Sequence, residues 1–343
     1  MHHQQGGPPP DPRGEAQRVR PPLPDHGGRH PPHFRARLGV GVGSLTIGTR
    51  GSPLALCQAR WVAAQLAARG TSAAIRVIKT TGDQDASVPL AALGAQSGVK
   101  GVFTKEIEDA LIAGEIDLAV HSLKDLPTEI DARLALGCVP ERADPRDAML
   151  GRRLAELRPG DRVGTGSLRR AEQLRALAPG VEIAGVRGNV DTRIRKLRSG
   201  QYDAIILAAA GLERLGLLDE ADELLAPTQM VPAIGQGALG IEIRAGDRRV
   251  SEALAAIHDL PTACEVAAER SLLRALGGGC DVPLGGHASC DDGGITLRAA
   301  AALETGGLAK LQETAPSGAA VSLGIAVAEK LRELGVEHSG PAA

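Results

Sequence analysis

The chain has 343 residues, enough for two or three domains at roughly 150 residues each. Lys and Arg number 39 against 41 Asp and Glu, a formal charge of −2 that argues against a dedicated nucleic-acid binder. Only Phe34, Trp61, Phe103 and Tyr202 are aromatic, too few rings for a base-stacking platform.

Residues 1–43 differ from everything after them. They hold 9 of the 22 prolines and 5 of the 9 histidines, with little apolar surface to offset ordering entropy. The composition is that of a disordered tail, and the folded pattern begins abruptly at Ser44–Leu45. No secretory signal is present in it. A transit peptide or a start site placed too far upstream are the competing readings; a dispensable tail is the one favoured.

From residue 44 onward, strand-like and helix-like segments alternate. "LTIGT" (45–49) reads as a buried strand, and "SPLALCQARWVAAQLAAR" (52–69) as a helix with apolar residues at 54, 57, 61, 62 and 66. "AAIRVIKT" (73–80) is a second strand. After a polar loop come the helix "FTKEIEDALIAG" (103–114) and the strand "DLAV" (117–120). This alternation predicts a parallel sheet covered on both faces.

The pattern restarts near residue 160. "RVGTG" leads into helix 167–177, "VEIAGV" (181–186) into helix 189–200, and "DAIILA" (203–208) into helix 210–216. A strand at 238–243 has the length to return to the first sheet. A helix over 262–276, strands within 284–314 and a helix over 318–334 then read as a smaller α+β domain. The boundaries follow: domain 1 is 44–143 plus 238–258, domain 2 is 144–237, and domain 3 is 259–343.

Two α/β lobes joined by crossing segments form a cleft, with ligands expected at the carboxyl ends of strands. Arg50 ends the first strand, before Ser52 as a helix N-cap. "GTGSLRR" repeats the layout with Ser167, Arg169 and Arg170. Cations at a helix N-terminus oppose its dipole unless an anion sits between them. Arg187 ends a further strand, and Arg193 lies one turn into the next helix. Arg195 and Arg198 read as a solvated helix face. No nucleotide loop accompanies these arginines, so carboxylates are the expected ligands.

"AVHSLKDLP" (119–127) places His121, Ser122, Lys124 and Asp125 at a strand's carboxyl end, where Asp125 is either a functional carboxylate or an ordinary turn residue. "LGGGCDVPLGGH" (276–287) holds Cys280 on a glycine loop, either an accessible attachment point or an inert thiol. Cys57 and Cys138 lie in apolar periodic segments, while Cys264 and Cys290 show nothing distinctive. An odd number of widely spaced cysteines, with no CxxC pair, predicts no disulfide framework, no metal site and a reducing cytoplasm. The longest apolar run, near Ala204–Ala210, is far short of the roughly 20 residues a membrane span needs.

Together "IGTRGSPLALCQA", "FTKEIEDAL", "DLAVHSLKDLPT", "GTGSLRRAEQL", "VRGNVDTRIRKL", "DAIILAAAGLERLG", "MVPAIGQGALGIE" and "AERSLLRALGGGCDVPLG" resemble the porphobilinogen deaminase family over residues 45–335. The resemblance implies two lobes of the type II periplasmic-binding-protein kind plus a C-terminal α+β domain. It implies a transferase that links four porphobilinogen units head to tail, releasing ammonia each time and finally hydroxymethylbilane. The units grow on a dipyrromethane cofactor in thioether linkage to the cysteine matching Cys280. Departure of ammonia leaves an electron-poor azafulvene, whose positive charge falls by this resemblance to Asp125. Arg50, Ser52, Asp83, Lys100, Lys124, Ser167, Arg169, Arg170, Arg187, Arg193, Arg214 and Gln236 match cofactor or substrate contacts. The resemblance implies a small-molecule substrate; with no coiled coil or apolar stripe left over, a monomer is expected, and charge and apolar run lengths predict no nucleic-acid or membrane partner. The chain departs from the family in a longer 83–100 loop, in Gln96, and in Asp281, which sets a negative charge beside an anionic cofactor. The rival reading is a non-catalytic solute-binding or sensor module, which would need neither the third domain nor Cys280 and Asp125.

Overall fold

The computed structural model describes residues 44–80, 104–277 and 283–336. In chain order its elements are β1 (Leu45–Thr49), α1 (Pro53–Ala67), β2 (Ala73–Val77), α2 (Lys105–Ile112), β3 (Leu118–Ser122), β4 (Leu134–Cys138) and β5 (Asp147–Leu150). There follow β6 (Arg162–Gly164), α3 (Leu168–Leu177), β7 (Glu182–Ala184), α4 (Val190–Arg198), β8 (Ala204–Ala208), α5 (Ala209–Arg214) and β9 (Glu223–Leu225). The chain closes with β10 (Leu239–Arg244), α6 (Arg248–Ala255), α7 (Leu260–Ala275), β11 (Leu284–Asp291), β12 (Gly294–Ala302), β13 (Leu308–Pro316) and α8 (Ala320–Glu333).

The first sheet has the order β2-β1-β3-β10-β4 and the second β7-β6-β8-β5-β9. Both are mixed, which corrects the all-parallel expectation. In the first, β10 runs antiparallel to β3, with Ile241 opposite Val120. In the second, β5 runs antiparallel to β8, with Met149 opposite Ile206. Each lobe therefore receives one reversed strand adjoining a crossing segment. No α-helix separates β3, β4 and β5 or β9 and β10, so the strand–helix alternation of the sequence does not show β4, β5 and β9.

Local chemistry sets the helix starts. The Ser52 hydroxyl accepts from Ala55 N at 3.3 Å, and Pro53 occupies the first helical turn where its missing N–H costs nothing. Ser167 caps α3 in the same way, accepting from Arg170 N at 3.4 Å. Asn189 precedes α4 but makes no side-chain cap. Along α1, Ala55, Ala59, Val62 and Leu66 are buried, one stripe at helical spacing that packs on β1, β3 and β10. The second lobe closes over Met149, Val163, Leu174, Ile206 and Leu225.

The C-terminal domain is an antiparallel β11-β12-β13 meander backed by α7 and α8 around Leu272, Leu297, Val327 and Leu331. The two helices cross at Gly324, where an added methyl would fall on Ser271 Oγ, the Ala268 carbonyl and the Leu272 amide. Two of those three neighbours are backbone and cannot yield cheaply. Gly324→Ala is therefore expected to lower stability by about 1–3 kcal/mol, read as a reduced midpoint in denaturant unfolding.

Candidate active site

The carboxyl ends of β1, β3, β6 and β8 converge on the cleft between the lobes. The turn after β3 is a single 3-10 turn, Leu123–Asp125, stopped where Pro127 forbids a longer helix. That turn projects Lys124 and Asp125 into the cleft, while Leu123 and Leu126 anchor it in the core. Two cavities, of about 350 and about 310 Å³, lie side by side. Lys124, Asp125, Arg170 and Arg193 line both. Ser167, Arg169 and Gln236 belong to the first, and Arg50, Ser52 and Arg214 to the second. Arg187 is exposed and lines neither. Asp83, Gln96, Lys100, Cys280 and Asp281 lie outside the described residues. Leu273 and Leu284, which flank the Cys280 segment in sequence, both line the first cavity.

The anion expected between the α3 arginines is in the protein itself. Asp147, fully buried in β5, accepts from Arg169 at 2.7 and 3.2 Å and from Arg170 Nε at 2.9 Å. The Gln236 amide adds a donor at 2.9 Å. Burial opposes the Asp147 charge, but the two guanidinium groups hold its carboxyl well below the usual carboxylate range. Asp147 carries no signal in the sequence beyond a charge opening an otherwise apolar run. Arg270 was also missed; it lines the first cavity and donates to the Leu126 and Pro127 carbonyls at 3.1 and 2.6 Å, fixing the far side of the Asp125 turn. His121 is buried with Nε2 3.4 Å from Glu242, and so belongs to the sheet interior more than to the cleft.

The remaining cations are differently placed. Arg193 donates to the Gly188 carbonyl and Arg214 to the Gly237 carbonyl, each at 2.7 Å. Among the described residues neither is in a salt bridge, and burial lowers both from the ordinary guanidinium value. Lys124 takes part in no hydrogen bond or salt bridge among the described residues. Burial lowers its ammonium to about 8, against an opposing pull from Asp125. Seven cationic side chains line the two cavities against Asp125 and Asp191. Such an excess of positive charge, with Lys124, Arg193 and Arg214 in no salt bridge among the described residues, makes a site for an anionic ligand.

The comparisons with known proteins agree with this chemistry. Residues 45–252 match the family model "Porphobilinogen deaminase, dipyromethane cofactor binding domain", and residues 263–333 match "Porphobilinogen deaminase, C-terminal domain". This chain belongs to the porphobilinogen deaminase family. Its relatives include the porphobilinogen deaminase of Syntrophobacter fumaroxidans, 53% identical over 258 residues, covering 74% of this chain and 82% of that one. That of Roseiflexus castenholzii is 47% identical over 297 residues, covering 85% and 97%. Among solved structures, the second substrate binding domain of a putative amino acid ABC transporter from Streptococcus pneumoniae is similar at TM-score 0.39 and 13% identity, covering 68% of this chain and 94% of that chain. No helix among the described residues is long and apolar enough to cross a membrane.

The Lys124 environment has a consequence for stability. Below about pH 8 its amine is charged in both folded and unfolded chains, and folding carries the full desolvation cost. As pH rises from about 8 towards the ordinary value of 10.5, the folded protein loses the proton first and stability increases. Lys124→Met is expected to be more stable than wild type at pH 7 in protein free of bound anion. Its denaturant midpoint should also vary less between pH 8 and 10.5, a difference that unfolding curves at three pH values would show.

Proposed function

We propose that this cleft condenses four porphobilinogen units head to tail, with loss of ammonia at each step, and releases hydroxymethylbilane by hydrolysis. A covalently held dipyrromethane, when bound, supplies the nucleophilic ring to which the units are added. The residues present fit such a group: it carries several carboxylates, and Lys124, Arg193 and Arg214 are inward-facing cations in no salt bridge among the described residues. Cys280 would hold it by a thioether, as the family resemblance implies; Leu273 and Leu284, on either side of it in sequence, line the first cavity.

The observation that carries the reading is the meeting of two anion-attracting cavities at Asp125, the one carboxylate among the described residues that lines both. Asp125 is exposed to the cleft and accepts no hydrogen bond among the described residues. It can therefore face the positive charge that develops on a pyrrole nitrogen as ammonia departs. Lys124, Arg193 and Arg214 hold the substrate's acidic side chains, with Arg50 and Ser52 beside them in the second cavity. Ser167, Arg169, Arg170 and Gln236 form the wall of the first. Arg187, Asp83 and Lys100 enter this reading through the family resemblance. It also makes the chain a monomeric cytoplasmic enzyme with domains at 44–143 plus 238–258, 144–237 and 259–343. A solute-binding module has no use for the C-terminal domain.

Intact mass tests the tether: wild-type protein is expected to carry an adduct of two linked pyrrole units, and Cys280→Ser none. An unmodified wild-type mass would sink the proposal. Asp125→Ala should fold normally, because the side chain is exposed, yet lose about 3–4 kcal/mol of transition-state stabilisation, roughly 10²–10³-fold in kcat. Steady-state rates on loaded protein decide this.

A further inference from the structure

We infer that Asp147 is a positioning residue, which orients Arg169 and Arg170 in the cleft wall and sets the charge that Lys124 meets there. The inference deepens the proposed function and rests on it only for the meaning of the binding constants.

The geometry is that of a built device. Asp147 is fully buried, sits at the first position of β5, and lines neither cavity. Its two oxygens accept from both arginines and from Gln236, three side chains that do line the first cavity. The outer ends of those three side chains are also pinned to backbone. Arg169 donates to the Val231 carbonyl at 2.7 Å, Arg170 to the Ile206 carbonyl at 2.9 Å, and Gln236 to the Pro145 carbonyl at 2.7 Å. Segments from the second lobe and from both crossings therefore converge on a single carboxylate.

Two consequences follow from counting donors. The fork of Arg170 is nearly spent: Nε and one terminal nitrogen face Asp147, that nitrogen also reaches Gln236 Oε1 at 3.5 Å, and the other donates to Ile206, which leaves one N–H. It cannot also clasp a ligand carboxylate bidentately, so its contribution to the cleft is a fixed charge. The second consequence concerns Lys124, the cation with an unengaged head. It is faced by Asp125 from its own turn, by Arg169 and Arg170 from α3, and by Asp147 behind them. Arg193 of α4 and Arg270 of α7 share the first cavity with it, and Arg50 and Arg214 share the second. Without Asp147 the wall behind Lys124 would carry two unanswered guanidinium charges, and the ammonium would lose its proton more readily.

Loaded holoenzyme with D147N tests this through two readouts. The first is the pH midpoint of Lys124 acetylation by acetic anhydride, followed by peptide mass. D147N is expected to move that midpoint down by about half a pH unit or more relative to wild type. An unmoved midpoint overturns the inference. D147E keeps the charge and should keep the wild-type midpoint; a fall there would equally overturn it. The second readout is KM for porphobilinogen, expected to rise about tenfold in D147N as the wall loses its order. The paired variant D147N/R169Q removes one charge of each sign, and it remains informative where D147N alone fails to fold. Its midpoint should return towards wild type while KM stays raised. If KM also returns, Asp147 merely neutralises charge and positions nothing. Acetylation reads the pocket whatever the reaction is, so absence of turnover in wild type would strike the functional proposal and leave the midpoint result standing.

Discussion

The Glu269 carboxylate is the point on which the assembly of lobes and C-terminal domain depends. It projects from α7, is fully buried, and accepts from Arg142 at 2.7 and 3.2 Å. It also accepts from the Gly235 amide at 2.6 Å and the Ala288 amide at 2.8 Å. Arg142 lies on the crossing from first lobe to second, and Gly235 on the crossing that returns. Ala288 lies in β11 of the third sheet. A single ion pair thus joins both crossings to the C-terminal domain, and Arg142 extends it by donating to the Gln236 carbonyl at 2.9 Å. Buried pairs of this kind add little net stability over an apolar core, but losing one partner strands the other charge. The pair therefore fixes how the parts meet more than how strongly each part folds.

Position at that junction gives the cleft its shape. Gly235 and Gly237, either side of Gln236, adopt φ of +69° and +89°. At Gly237 an added side chain would collide with the Ala143 carbonyl on the other crossing. The two crossings run this close because glycine permits the turn and removes the obstruction. Gln236 is thereby held with its amide on Asp147 and its backbone on Arg142, linking the hinge to the cation wall. Cleft charge and domain geometry are one connected network.

Much of this was legible in the sequence where the signal is local. The caps Ser52 and Ser167, the turn at Asp125 and the alternation of strands and helices all follow from residues adjacent in the chain. Most of the expected strand-end cations line the cavities, though Arg187 does not. Long-range pairings left no such trace. The return of β10 beside β3 was read only from available length, and the antiparallel placement of β5 was not read, because either direction presents the same apolar residues to the core. Asp147, Glu269 and Arg270 look like ordinary surface charges in sequence. Their burial depends on partners 22, 127 and 144 residues away.

Two carboxylates stand at the cleft, one lining it and one behind its wall, and their environments differ sharply. Asp147 has its lone pairs occupied by two guanidinium groups and an amide, in a site closed to solvent. Such a group is walled off: burial keeps it from a substrate, and the two guanidinium groups oppose its taking up a proton. Asp125 is the reverse, open to the cleft and without a donor among the described residues. The Lys124 ammonium on the same turn feels the Asp125 charge, which keeps a cation at hand without enclosing the carboxylate. A transient positive charge on a ligand is best met by an acceptor that is ionised, placed in advance, and not already engaged. Of the two, only Asp125 satisfies the last condition. The pairing of Asp147 with Arg169 and Arg170 helps to make this so, since arginines held on a buried partner are not free to close over Asp125.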